Sequence, residues 1–436
     1  MTQQTVLPFK LEMTDEVLTP RAGLALVGEY LHGLGLHRAL ARELPEPGSG
    51  RGRKAVVYAE PIILMQLGGG RCIEDLRILE GDKGLKKVLK YEIPSVSATG
   101  DWLRRMGNPA KRAKGLKGLE RVQIAHCHQV MRREPFSEYT LDLDATAIEA
   151  NKREAQMTYK GFKGYMPLEG YLAENGLKIY EEFREGNESP SKGLLEALKE
   201  CQRRMPQGKK IKRFRSDSAA YQAGIINHCE EDQIEYTITA DQDSAVKKAI
   251  EAIPAEDWKP MKDRDGAWIA ETVHSMEHTK KAFRLIVLKE RELQLSLWGE
   301  GPKERYHAVA SNFPEKWDAE KVLEWHNGRG NAENYIKESK IGFGLETLPC
   351  GESYANAVWY RLGSIAYNVL IGFKRLCCPP EWMYHTVATL RWRLFETAAR
   401  VVKHGRSIIL KIAAGLEKYN LFREIRENIS ALCRPG

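Results

Sequence analysis

The chain has 436 residues, 42% hydrophobic and 29% charged, which fits a soluble protein of two to four domains with a sizeable core and excludes a disordered chain. No apolar run reaches the ~18–20 residues of a membrane span, the N-terminal Met-Thr-Gln-Gln-Thr-Val lacks the features of a signal peptide, and the eight cysteines form no CxxC pair. The expectation is a cytoplasmic chain with free thiols and no structural zinc. The net charge of +8 is unevenly spread: residues 101–134 carry nine Lys/Arg against three Asp/Glu, and residues 386–411 six against one. Such concentration points to a polyanion partner, nucleic acid first.

Taken in chain order, residues 1–135 read as helical. Thr19-Pro20 opens a helix, Ala22 to Leu44 has apolar residues at helical spacing, and Pro45–Arg53 is a loop. A further helix starting near Ser97 or Thr99 carries Trp102, Arg104 and Arg105, residue types suited to DNA contact. Beyond residue 136 the texture changes. Tyr139–Asp144 alternates strictly and predicts a half-buried strand. Tyr165–Leu172 and Leu177–Phe183 predict two more, turned at Glu174-Asn175-Gly176. A helix from Ser191 to Met205, a strand over Lys210–Arg215, a helix to about Cys229, a strand over Gln233–Thr239 and a helix from Asp243 follow.

This order (strand, hairpin pair, helix, strand, helix, strand, helix) is that of a ribonuclease H-like mixed α/β sheet. Residues 256–312 then form a β-rich insertion, with strands expected at Ala267–Val273, Ala282–Lys289, Leu293–Trp298 and Tyr306–Asn312. The division that results is a helical DNA-binding and dimerisation region (1–135), a first core part (136–255), the insertion (256–312), a second core part with an acidic helix (313–345) and a C-terminal helical region (346–436).

Three carboxylates stand out. Asp144 lies in Asp142-Leu-Asp-Ala-Thr146, where a period of two puts Asp142 and Asp144 on one face and leaves the choice between them open. Asp217 sits at the C-terminal end of a strand, where α/β sheets place ligand-binding groups. Glu333 belongs to a polar stretch in which His326, Arg329, Glu333, Lys337 and Lys340 fall within about 80° on a helical wheel. One carboxylate among potential cations is either a solvated ion-pair ladder or a phosphate-handling site. Magnesium takes carboxylate oxygens, and two ions can serve phosphodiester cleavage.

Together these residues resemble the DDE transposases of bacterial insertion sequences, in the group that includes insertion-sequence families 4 and 1380. Asp144-Ala145-Thr146 matches the first Asp context and Arg215-Ser-Asp217-Ser the second. His326, Arg329, Glu333 and Lys340 match a Tyr, Arg, Glu, Lys signature at intervals of two, three and six residues, with His in place of Tyr. Arg329-Gly330, Ile336-Lys337-Glu338, Gly342-Phe-Gly344, Leu348-Pro-Cys350, Ala355-Asn356, Ala366-Tyr-Asn368 and Ala398–His404 look closer to family 1380.

The resemblance implies cut-and-paste transposition: two-metal cleavage at terminal inverted repeats, hairpin formation and strand transfer. It assigns Asp144, Asp217 and Glu333 as catalytic residues and as ligands of Mg2+, with Mn2+ as a substitute. Arg329, Lys337, Lys340 and His326 are expected at the DNA, with Arg104 and Arg105 from the basic helical segment. Trp298 is expected to stack a flipped base, with Trp258, Trp268 and Trp317 as rivals. The partners implied are double-stranded terminal-repeat and target DNA and a second copy of the chain; no membrane is involved. A ribonuclease H-like nuclease without strand transfer and an inactive transposase-derived DNA-binding protein are the competing readings.

Overall fold

The computed structural model describes residues 10–48, 51–291 and 304–433. Contacts divide the chain into two compact units, one of Met1–Arg42, Glu46–Trp102 and Phe373–Gly436, the other of Glu43–Pro45 and Leu103–Gly372. Among the described residues no helix is long and apolar enough to cross a membrane.

The first unit is helical around an apolar interior, with helices at Ala22–Gly33, Leu36–Glu43, Val56–Leu67 and Leu416–Leu432. The expected single helix from Ala22 to Leu44 is broken at Gly35, whose φ of +75° is a left-handed value that a glycine adopts at little cost. In the segment expected to be helical around 386–411, Val387–Leu390 and Arg391–Phe395 are helical, but Ala399–His404 and Ser407–Ile412 form a β-hairpin that pairs with Leu18–Thr19. Val401, Val402, Ile408, Ile409 and Ile412 are β-branched, and Gly405 at φ +57° supplies the tight turn. This chemistry outweighs the helical character of the flanking sequence.

The second unit is built on a mixed sheet. Its strands in chain order are β1 (Glu138–Ala145), β2 (Leu168–Leu172), β3 (Lys178–Glu182), β4 (Lys210–Ser216), β5 (Glu235–Thr239), β6 (Lys259–Pro260), β7 (Ala267–His274), β8 (Phe283–Arg291) and β9 (Glu304–Ser311). Among the described residues their spatial order is β6-β7-β8-β9-β5-β4-β1-β2-β3. β1 runs parallel to β4 and β4 parallel to β5, while β2 is antiparallel to both β1 and β3. The β2–β3 turn contains Gly176 at φ +75°.

The strand-rich stretch after residue 256 extends this sheet, because β9 pairs antiparallel with β5 through Val309, Ala310 and Ser311. Ala267, Ile269, Ile286, Leu288 and Val309 bury one face of that extension against Phe313, Val322 and Leu323. The strand expected over Leu293–Trp298 lies outside the described residues.

Helices cover the sheet: α1 (Lys114–Met131), α2 (Leu194–Arg203), α3 (Ala223–Glu231), α4 (Ser244–Glu251), α5 (Ala319–Asn327), α6 (Gly330–Lys337) and α7 (Ser353–Cys377). Aspartates start two of them. Asp243 accepts from the amides of Ala245 and Val246, and Asp318 from that of Lys321, satisfying amides that lack an intrahelical partner. α6 passes directly into a π-helical turn, Glu338–Gly342.

Candidate active site

Parallel pairing of β1 with β4 sets Leu143 beside Ser216. Asp144, at the C-terminal end of β1, and Asp217, just past the end of β4, therefore meet at one edge of the sheet. Asp217 caps the short turn that follows, accepting from the Ala219 amide at 3.0 Å. Glu333 comes from the first turn of α6, with its side chain 59% exposed. Arg329 joins the two motifs: one guanidinium nitrogen lies 3.6 Å from Asp144 Oδ2 and another 3.0 Å from Glu333 Oε1.

The charges are poorly balanced. The Asp144 carboxyl is pushed up to about 7, first by burial and then by the negative charge of Asp217, with Glu333 adding to the rise and Arg329 opposing it. Three carboxylates offset by one arginine are a donor set suited to hard divalent cations. The residues present fit a divalent metal ion.

Asp142 has a different fate. It is 1% exposed and receives two hydrogen bonds from Arg215, Nε to Oδ1 at 2.7 Å and Nη2 to Oδ2 at 2.9 Å. Burial raises its pKa and the Arg215 hydrogen bonds oppose that rise. Arg215 also donates to the Trp325 carbonyl at 2.9 Å and lies 4.7 Å from the centre of the Trp325 ring. Gly328 is required here, since a Cβ would stand 2.4 Å from Arg215 Nη1. The guanidinium thus ties β1 and β4 to the break between α5 and α6, immediately before Arg329.

The five polar positions expected on one helical face are divided by that break. His326 ends up 3% exposed, its Nδ1 2.8 Å from Thr237 Oγ1 and its Nε2 3.0 Å from Thr239 Oγ1. Burial pushes its pKa down to about 3, with His307, Arg329 and Arg215 adding to the fall. Both ring nitrogens thus face threonine hydroxyls of β5. His326→Phe leaves two threonine hydroxyls without that partner, so thermal melting should show a loss of about 1–3 kcal/mol. The salt dependence of DNA binding should stay unchanged.

Lys340 turns inward as well. Its Nζ donates to the Ala147 carbonyl at 2.8 Å and approaches Thr146 Oγ1 at 3.4 Å, and burial lowers its pKa. It holds the turn after Asp144. Lys337 is exposed on α6. Arg105 is exposed, and Arg104 pairs with Glu352 at 3.2 Å, while the neighbouring Trp102 is 1% exposed and stacks on Tyr58.

Trp298 lies outside the described residues. Of its rivals, Trp258 and Trp268 lie 4.6 and 5.5 Å from Lys289 Nζ, and Trp317 packs edge-on against Phe313. Sequence reasoning missed Arg215 as a partner for Asp142. The available signal was the matched spacing of Asp142-x-Asp144 and Arg215-x-Asp217 on two neighbouring strands.

The family model described as "Transposase DDE domain group 1" matches residues 5–434. No curated protein matches the sequence. The solved structure titled "Cryo-EM structure of piggyBac transposase synaptic complex with hairpin DNA" aligns over 97% of this chain and 88% of that chain, at 12% identity and a TM-score of 0.43.

Proposed function

Since the chain belongs to the transposase DDE domain group 1 family, and is thereby an enzyme that cuts DNA and transfers strands, we propose that it moves a bacterial insertion sequence of the 4-like group, in the branch of family 1380, by cutting and pasting. The observation that carries this reading is the meeting of Asp144 and Asp217 at the C-terminal ends of β1 and β4, with Arg329 lying between Asp144 and Glu333. The order β3-β2-β1-β4-β5, with β1, β4 and β5 parallel, supports a ribonuclease H-like core.

In this reading Asp144, Asp217 and Glu333 would hold two Mg2+ ions, with Mn2+ as a substitute. Bound there, the ions would supply Lewis acidity toward phosphate oxygens and a nucleophile at neutral pH. The protein's own groups do the rest. Asp142 and Arg215 hold the edge of the sheet against the end of α5, and Lys340 fixes the turn after Asp144. Arg329 grips phosphate oxygens through its planar fork, and Lys337 adds charge beside it.

The reaction sequence is cleavage at the transposon end, attack of the freed 3′-hydroxyl on the opposite strand to close a hairpin, reopening, and attack on target DNA. Two ends must be paired, so a dimer on DNA is part of the reading.

Purified protein, a donor DNA bearing the terminal inverted repeats, target DNA and Mg2+ should yield a joined product on a sequencing gel. Cleavage without joining would replace the transposase reading with that of a nuclease. End binding should weaken linearly in log[salt], and Arg329→Ala or Lys337→Ala should each reduce the slope by about 1.

A further inference from the structure

Beneath the carboxylates lies a second ionisable cluster that the proposed chemistry does not use. Register across β1 and β2 sets Glu169 opposite Asp144 and Tyr171 opposite Asp142, so all four side chains share one face of the sheet. Glu169 and Lys178 are both fully buried and pair at 2.5 Å. Glu169 Oε1 also accepts from Tyr360 at 2.6 Å, and its Oε2 accepts from Tyr171 at 2.8 Å. Lys178 Nζ lies 5.3–5.8 Å from the ring centres of Tyr171, Tyr360 and Tyr367 and donates to Ser364 at 3.3 Å.

Such a pair is costly to bury, and apolar replacements are often no less stable. What this one does is visible in its last link. Tyr171 has a single hydroxyl proton, committed to Glu169, so the 3.1 Å contact between Tyr171 and Ser339 is a hydrogen bond donated by Ser339. Ser339 sits in the π-helical turn that continues α6, and the next residue, Lys340, reaches back to Ala147 at the end of β1. A π turn is an irregular, weakly self-supporting element. Here it is pinned on one side to β2 through Tyr171 and on the other to the end of β1.

We propose that Glu169 and Tyr171 are positioning residues: the chain Lys178–Glu169–Tyr171–Ser339 fixes the π turn and thereby sets α6, with Glu333, against Asp144. The proposal rests on the reading of Asp144, Asp217 and Glu333 as metal ligands.

The test is Mn2+ binding by the full chain without DNA, read from the EPR signal of free Mn2+. Tyr171→Phe and Ser339→Ala each remove one hydroxyl and leave the buried ion pair intact. Each should weaken Mn2+ binding about tenfold, the scale on which groups behind metal ligands act. The double variant should be no weaker than Tyr171→Phe alone, because that change already removes the Tyr171–Ser339 bond. Apo melting curves verify that the variants are folded at the titration temperature.

Glu169→Gln would leave Lys178 charged and unpaired, so it is made together with Lys178→Met, and this pair should reproduce the weakened binding. Unchanged Mn2+ affinity in Tyr171→Phe and Ser339→Ala, or a double variant clearly weaker than Tyr171→Phe, would overturn the positioning role. If Asp144→Asn and Glu333→Gln bind Mn2+ as tightly as the parent, the ligand assignment itself fails, and the proposal falls with it for that separate reason.

Discussion

Asp144→Asn, Asp217→Asn and Glu333→Gln should each reduce cleavage at a transposon end by at least about a thousandfold, as for groups that act as one catalytic unit, while end binding survives. Each change keeps side-chain size and removes one negative charge from a site in which Arg329 pairs with both Asp144 and Glu333. The three variants therefore separate chemistry from folding. The Asp144 carboxyl, pushed up to about 7 mainly by burial, makes the separation measurable without DNA. Between the ordinary carboxylate pKa of about 4 and pH 7, the folded chain binds more protons here than the unfolded chain. Stability of the metal-free protein should thus fall as pH rises through that window and level off above it. Asp144→Asn should lack this decline and melt higher than the parent at pH 8. Mg2+ should raise the parent's melting temperature and leave that of Asp144→Asn little changed, because a ligand stabilises only the state that binds it. Cleavage retained by any of the three variants would remove that residue from the catalytic set.

The extent to which the sequence discloses this site depends on which forces place each residue. Local pattern was enough for the two strands that carry the aspartates: strict alternation marks β1, and the position of Asp217 past a basic strand marks the end of β4. The same pattern could not separate Asp142 from Asp144, because both lie on one face and only strand neighbours distinguish them. Parallel pairing gives Asp142 an arginine and Asp144 an aspartate, a contrast invisible until β1 and β4 are adjacent. His326 illustrates a different limit. Helical spacing puts it with the cations, but α5 ends at Asn327, and His326 in its last turn packs on the threonines of β5. Long-range contacts also explain why the Ala399–Ile412 hairpin was read as helix. Its pairing with Leu18–Thr19 joins residues almost four hundred positions apart, which no window along the chain can sense.

Asp142→Ala should unfold the second unit more readily while sparing the chemistry, the reverse of Asp144→Asn. Removing one partner of a buried ion pair costs about 3–5 kcal/mol, since the remaining charge is left desolvated. Here that charge is Arg215, 5% exposed and fixed against the Trp325 carbonyl and ring. With Asp142 gone, Arg215 keeps its grip on the end of α5 and loses its grip on β1. The break before Arg329 is then anchored to one strand instead of two. Denaturant melts should record the loss, and cleavage per folded molecule should remain within about a hundredfold of the parent, the range for groups that orient ligands without binding the ion. Replacing both partners with apolar residues, Asp142→Leu with Arg215→Met, should recover most of the stability but not the placement of Arg329. That double variant distinguishes an ion pair kept for stability from one kept for geometry. If its cleavage returned to the parent rate, the pair would be no more than a filler between β1 and β4. If Asp142→Ala abolished cleavage as completely as Asp144→Asn while still folded, the assignment of Asp144 over Asp142 would be wrong.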